Sequence, residues 1–378
     1  MLEMQIEIGR VLTCRQPRPG LWEAEVSVAG RTGRALAYDS LVGPLQPGDR
    51  VLLNTTAVAL RLGTGGVHFV LWVLGREKGY LRGPGHLMKM RYTPLQVKVQ
   101  GWEETARAFP EGLGGMPVLV GSLHSQLGGA CAGYKAVAGR SSKLAYLMSD
   151  GGALPAWYSE LLARLRSAGL VDHVITCGHA FGGDQEAVNA FSGLLAARAW
   201  GAEAVVACMG PGVVGTGTVW GTTALEMGQM IDAASILGGR PVAIVRMGFG
   251  DPRARHRGVS HHVLTVLGRV AQRRCLVALP HLPPDIRVTI MGQLERAGVL
   301  ARHGLAFSSG ERGIQLLRRE GIPMTTMNRG FEEEPHFFRS AGAAGEVAAM
   351  MVKRRETVTR DPRYGRRSRV HGRKEGEA

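Results

Sequence analysis

The chain has 378 residues, 45% of them hydrophobic and 20% charged, with a net charge of +15 at neutral pH. This composition builds an ordinary apolar core and excludes a wholly disordered chain, and the length suits two domains. No run of about 18 apolar residues is present, which excludes a transmembrane helix.

Five scattered cysteines (Cys14, Cys131, Cys177, Cys208 and Cys275) form no CxxC pair. They exclude a zinc ribbon and a disulfide framework and fit a reduced compartment. The opening MLEMQIEIGRV lacks the basic and apolar regions of a secretory leader, so a cytoplasmic protein with no membrane partner is expected. The 54 glycines have no collagen period. They cluster in apparent loops, where tight turns or close approach to a ligand require them.

Residues 1–80 read as a small β-barrel-like domain. Short apolar or alternating runs (QIEIGRVLTC, LWEAEVSVAG, RTGRALAYD, DRVLLNTTAVAL, VHFVLWVLG) are broken by Pro-Gly and Gly-Gly signals. Such barrels bind nucleic acid in some proteins and cap a neighbouring domain in others. A connector follows over 81–115, where His86, Lys89 and Arg91 fall close together behind a Gly-Pro-Gly turn. They form a solvated linker, or they close over an anionic ligand.

Residues 116–345 alternate strands and helices, the pattern of an α/β, mostly parallel doubly wound, Rossmann-like sheet. MPVLVGSL, KLAYLMS, HVITCG, EAVVACM, PVAIVRMGF, CLVALP, GLAFSS and IPMTTMN read as strands. Between them SQLGGACAGYKAVAG, AWYSELLARLRSA, EAVNAFSGLLAARAW, TTALEMGQMIDAASILGG, SHHVLTVLGRVAQRR, DIRVTIMGQLERAG and ERGIQLLRRE read as helices. Thr223 and Glu226 have capping-box spacing. Residues 346–378 read as a basic, disordered tail. Its last 26 residues hold ten Lys/Arg against four Asp/Glu, which suits either a solubilising end or nucleic acid.

In open parallel sheets the ligand crevice lies outside the carboxyl ends of the strands. The residues that follow the strands are therefore the site candidates. They include Ser122, His124 and Ser125, then Ser149 and Asp150, then Cys177, His179 and Asp184. GPGVVGTGT and DPRARHRGVSHH follow later strands. GPGVVG matches G-x-G-x-x-G through Gly210, Gly212 and Gly215, but further glycines delay the helix and no acidic residue ends the next strand. NAD or FAD is not expected; a backbone cradle for an anion fits better. DPRARHRGVSHH brings Arg253, Arg255, His256, Arg257, His261 and His262 together. It suits an anion site, or His179, Asp184, His256 and His261 hold a divalent metal, or the segment is a charged surface loop. Cys177 reads as a small buried hydrophobe rather than a nucleophile.

Taken together, GDRVLLNTTAVALRLGTGGVHFV, GHLMKMRYTPLQ, LHSQL, ITCGHAFGGDQEAVN, MGPGVVGTGT and DPRARHRGVSHHVLTVLGR resemble the uncharacterised bacterial family of domain of unknown function 3866, over nearly the whole chain. The resemblance implies a bacterial, soluble protein and supplies no activity, substrate or cofactor. In that family an acidic, His-containing stretch tends to follow YTPLQ; here VKVQGWEETARAF does.

The expected function is an enzyme that binds a small anionic metabolite, phosphorylated ones included, for hydrolysis or group transfer. His179 is the expected acid/base, with Asp150 and Asp184 as orienting carboxylates or metal ligands. His124, Gly212, Gly215, Arg255, Arg257, His261 and His262 are the expected anion binders. The alternatives are a non-catalytic sensor with the same pocket and a nucleic-acid binder using barrel and tail.

Overall fold

A computed structural model describes residues 3–61, 66–77, 79 and 83–360, and of 355–360 the backbone alone. The first unit contains β1 (Ile6–Arg18), β2 (Leu21–Val28), β3 (Arg31–Tyr38), α1 (Asp39–Val42), β4 (Arg50–Asn54), α2 (Thr56–Ala59) and β5 (Val67–Val73). The strands close into a barrel in the order β1-β2-β3-β5-β4. Alternation drives this, as the sequence predicts. Val11, Val26, Ala35, Ala37, Val51, Leu53 and Val70 point inward and are buried, while Ile6, Ile8 and Leu12 face out. Ala29 and Gly30 make the β2–β3 turn with φ of 48° and 74°, the paired left-handed geometry of tight hairpins.

A connector follows with β6 (Leu87–Lys89), β7 (Val97–Val99) and α3 (Trp102–Thr105). β6 and β7 form an antiparallel hairpin. It does not hang over a ligand as a flexible basic linker: Lys89 is fully buried.

The second unit contains β8 (Pro117–Val120), α4 (Gln126–Ala138), β9 (Leu144–Ser149), α5 (Glu160–Ser167), β10 (His173–Cys177), β11 (Gln185–Ala187), α6 (Ala190–Trp200), β12 (Ala204–Met209), α7 (Glu226–Ile236) and β13 (Arg240–Ile244). β14 (Met247–Gly248), β15 (Gly258–Val259), α8 (His261–Thr265), β16 (Leu276–Pro280), α9 (Pro284–Arg296), α10 (Val299–Arg302) and β17 (Gly304–Ser308) come next. α11 (Glu311–Arg319), β18 (Thr325–Thr326), β19 (Arg329–Gly330) and α12 (Pro335–Arg360) complete it. Eight strands form one sheet in the order β11-β10-β9-β12-β8-β13-β16-β17, with every pair parallel.

The strands are continuously apolar because both faces are covered. Along β9, Ala145 and Leu147 face one helix layer and Leu144, Tyr146 and Met148 the other. One layer carries α6, α7, α9 and α10; the other carries α4, α5, α11 and α12. Full burial of Leu119, Leu147 or Val206 contributes about 1.5–3 kcal/mol each.

The chain leaves β8 in one direction and inserts β12 back between β9 and β8. It then leaves in the other direction to β13. In open parallel sheets such a reversal marks the carboxyl ends of the two strands, here β12 and β8, as the usual place for a ligand.

Three expectations need correction. IPMTTMN is not a sheet strand. Thr325–Thr326 and Arg329–Gly330 form a separate hairpin, turned by Met327 and Asn328 with φ of 48° and 62°. Residues 346–360 are not tail but the second half of α12. α12 lies against α4 through small residues: Ala341, Ala344, Ala348 and Ala349 are all buried. A Cβ on Gly133 would collide with the Gly342 carbonyl, and one on Gly345 with the Ala130 carbonyl. Many glycines thus serve helix-on-helix contact rather than loops. Residues 361–378, and with them the expected disorder and nucleic-acid role of the tail, lie outside the described residues.

Glu346 ties α12 to α11. Its buried carboxylate accepts from the backbone N–H groups of Gly310 and Arg312 (both 3.1 Å) and from the Ser308 and Ser309 hydroxyls. These are the donors that a helix start leaves unpaired.

The barrel seats on the loop after β9. Arg18 donates to the carbonyls of Trp157 (2.6 Å) and Tyr158 (3.0 Å). The Trp157 ring lies between Gly20 of the barrel and Gly182 of the loop after β10. Added Cβ atoms there would stand 2.6 and 2.8 Å from it, so only glycine allows the stack. Among the described residues, no helix is long and apolar enough to cross a membrane.

Candidate functional site

At the carboxyl edge, β9 ends in Ser149, followed by Asp150, Gly151 and Gly152. β10 ends in Cys177, followed by Gly178 and His179. Asp150 Oδ2 accepts from the His179 backbone N–H at 2.8 Å. It occupies the space that a side chain at Gly178 would fill, and Gly178 has a φ of 64°. Gly151 makes room in the same way for the carboxylate of Glu226, the first residue of α7. Two carboxyl groups from distant parts of the chain thus share one edge.

Burial raises the Glu226 pKa to about 7, and the Asp150 charge adds to the shift. The Ser149 hydroxyl and the Gly151 N–H stand close enough to the carboxyl group to pull it back, but outside good hydrogen-bonding geometry to Oε2. Glu226 Oε2 and Ser149 Oγ are both buried without a partner. A carboxyl near 7 is half-protonated at neutral pH, the state in which it both gives and takes a proton.

His179 is half-buried, and its Nδ1 accepts from the Met90 backbone N–H at 3.0 Å. Cys177 is no nucleophile here: burial pushes its thiol up to about 12.

Between β12 and α7 the chain forms a glycine-rich flap. Thr216 N–H donates to the Gly221 carbonyl (2.8 Å) and Thr222 Oγ1 to the Val214 carbonyl (2.9 Å). Val214 and Trp220 are exposed on it. Each glycine of the G-x-G-x-x-G match has a local reason. A Cβ on Gly210 would collide with the Ala153 carbonyl, and one on Gly215 would stand 2.7 Å from His262 Cε1. Gly212 has a φ of 102°. α7 starts only at Glu226, too late for the turn that seats a pyrophosphate on a helix start.

Beyond the flap lie three imidazoles. The His261 and His262 ring centroids are 3.9 Å apart, and His256 is 5.2 and 5.6 Å from them. Burial, with help from neighbouring arginines, depresses all three: His256 to about 3 and His262 to about 4. His256 Nδ1 meets Ser260 Oγ at 2.9 Å, whereas His261 Nε2 and His262 Nε2 are buried without partners. Arg255 approaches the flap at Gly217. Asp251 binds Arg253 (2.8 Å), Arg329 (3.2 Å) and Arg246 (3.5 Å), and the hydrogen bonds from Arg253 hold its carboxyl well below the usual range.

The structure therefore gathers Asp150, His179, Gly212, Gly215, Arg255, His261 and His262 along one edge, and leaves others out. Asp184 is at the opposite edge. Its carboxylate accepts from the Val174 N–H (2.9 Å) and pairs with Arg166 (2.9 Å) and His173 (3.6 Å). The loop after β10 doubles back, so that Gln185 pairs beside Ile175.

His124 stands at the edge, but both its ring nitrogens are used. Nε2 meets Ser159 Oγ at 2.6 Å, and Nδ1 meets Tyr146 Oη and the Met209 carbonyl. It ties β9 and the end of β12 to the loop before α5. Arg257 is exposed, and its carbonyl accepts from Gln293 of α9. No contact brings it to the flap.

The proposed metal set does not assemble, because Asp184 is on the far edge and His179 is separated from the histidine trio by the flap. Among the described residues no group of three or more His, Cys, Asp or Glu side chains is placed to hold a metal ion. Glu226 is the functional candidate that sequence reading missed. Its capping box does not form: Thr222 accepts from the Ala224 N–H instead.

Residues 34–345 match the family described as Protein of unknown function (DUF3866). The match covers most of the chain, which therefore belongs to that family. No curated protein and no solved structure matches it.

Proposed function

We propose that this protein is an enzyme that binds a small anionic metabolite at the carboxyl edge of the sheet and performs hydrolysis or group transfer on it. Glu226 is the acid/base, and Asp150 orients the loop that carries His179. One observation carries the reading. Five buried polar atoms without partners (Ser149 Oγ, Glu226 Oε2, Ser122 Oγ, His261 Nε2 and His262 Nε2) follow four adjacent strands, β9, β12, β8 and β13.

Each unpaired buried group costs about 1–3 kcal/mol. A row of them is sustained where a ligand supplies the missing partners. Cavities of about 360 Å³ beside β16 and about 170 Å³ beside Ser125 carry less weight, since none of these five residues lines them. The anionic character rests on charge: Arg246, Arg253 and Arg255 act on the histidines, with Asp251 the acidic group facing them. Nucleic-acid binding by the barrel has less support, because Arg15 and Arg34 share Glu23.

The test is a thermal-shift screen against phosphorylated and carboxylated metabolites, followed by turnover assays on any hit. A saturating ligand at 100 times its Kd adds about 2.7 kcal/mol of stability. Glu226→Gln should keep the shift and lose turnover. Binding without turnover in the wild type would leave the sensor reading. No hit at all, with His262→Gln as stable as the wild type, would remove the site.

A further inference from the structure

Lys89 is the most deeply buried cation of the connector, with 0% exposure, an expensive place for an ammonium group unless it is fully paired. Its Nζ donates to the Thr176 carbonyl (3.2 Å), the Ala180 carbonyl and Glu186 Oε2 (2.6 Å). The two carbonyls bracket Cys177, Gly178 and His179. Glu186 closes the same turn, accepting from the Gly182 N–H (2.7 Å) and Thr176 Oγ1 (2.6 Å). The ammonium group therefore grips both ends of the segment that presents His179.

The next residue, Met90, has a φ of 50°, a left-handed conformation that residues with a side chain seldom adopt. In that conformation its N–H reaches His179 Nδ1. The His179 backbone N–H is held in turn by Asp150. A neutral imidazole nitrogen that accepts a hydrogen bond carries no proton, so the ring's single proton sits on Nε2. Among the described residues nothing in the protein pairs with Nε2.

We propose that Lys89 and Met90 are positioning residues that hold neutral His179 as its Nε2–H tautomer. The site then offers a hydrogen-bond donor at this point to an oxygen of the ligand, of the phosphoryl or carboxyl kind. The ligand half of this statement rests on the reading of the edge given above; the tautomer does not.

The experiment is a long-range proton–nitrogen correlation spectrum of the full chain at about pH 8, above the ordinary histidine range near 6.5. His179→Gln identifies the ring. The wild type should show Nδ1 in the unprotonated range and Nε2 in the protonated range. In Lys89→Met/Glu186→Gln, which leaves no unpaired buried carboxylate, the two nitrogens should move toward a common averaged position. Circular dichroism controls for folding. A wild type with averaged nitrogens, or with the proton on Nδ1, overturns the proposal, and this holds even if the double variant fails to fold. A folded double variant with unchanged nitrogens removes Lys89 from it. A held tautomer with no ligand found in the metabolite screen would sink the ligand reading and leave the positioning intact.

Discussion

The two edges of the sheet differ in how completely they pair their buried polar groups. At the amino edge, buried Lys135 Nζ donates to Asp172 Oδ2 (2.6 Å), the Ser142 carbonyl (2.6 Å) and the Arg140 carbonyl (3.0 Å). Asp172 also accepts from the Leu144 N–H (2.7 Å), and Ser142 Oγ donates to Glu203 (2.8 Å). Every group there has its partners. At the carboxyl edge of the same strands, Ser149, Glu226, Ser122, His261 and His262 each keep a buried atom unpaired. On the function proposed above, a ligand supplies the missing partners.

Breaking the amino edge should therefore have the largest effect on stability. Lys135→Met removes the cation from a buried, fully bonded network and should cost about 3 kcal/mol or more. Urea denaturation would show it as a lower midpoint at unchanged slope. A loss under 1 kcal/mol would mean that the amino edge is no better satisfied than the other.

Glu226→Gln should do the reverse. The folded pKa of Glu226, about 7, lies above its ordinary 4.5. Between these values the native state binds more protons than the unfolded state, so stability falls as pH rises from about 4.5 to about 7. The amide removes that penalty, and the variant should gain about 2–3 kcal/mol over the wild type at pH 8 and nothing near pH 4. Thermal melts across that range check it. A variant less stable than the wild type at pH 8 would make Glu226 a structural carboxylate.

Asp184→Asn sharpens the contrast from the amino side. It weakens the pairs with Arg166 and His173, both partly exposed, and should cost about 1 kcal/mol. It should leave any ligand-induced thermal shift unchanged. If the shift disappears, the assignment of Asp184 to the opposite edge is wrong in effect.

The barrel and the parallel sheet were legible because period and punctuation are local. Alternating residues with Gly-Pro turns marked the first, and apolar runs separated by helical spacings the second. The errors came where position depends on chain return. Asp184 follows β10 in sequence, but the loop after His179 doubles back to pair Gln185 beside Ile175. Glu226 reads as a cap three residues after Thr223, and its proximity to Asp150, 76 positions away, is invisible in any local window. The second half of α12 is hard to read because SAGAAGEVAAM carries two glycines, Gly342 and Gly345, that lower its helix propensity, and it runs without a break into the basic segment. Its stability comes from the fit of Gly342 and Gly345 on α4, a tertiary fact.

Arg255→Ala is the smallest change in stability and the sharpest test of what the carboxyl edge is for. The residue is exposed and forms no ion pair among the described residues, so truncation should move stability by no more than about 0.5 kcal/mol. Its guanidinium nevertheless stands at the flap near Gly217 and acts on the buried imidazoles, helping to depress His261 and His262. For an anion held beside those rings, loss of one charge-assisted hydrogen bond is worth about 1.5–3 kcal/mol, or at least a tenfold weaker Kd. Titration calorimetry with whichever anion the screen yields would measure it, with Arg257→Ala as the internal control. Arg257 is two positions along the same loop with the same charge, and its carbonyl is turned toward α9. If both variants weaken binding equally, only the general field of the loop matters and the flap contact has no role. If Arg255 alone matters, the ligand lies between the flap and the histidines, on the edge where the fold leaves its polar atoms unpaired.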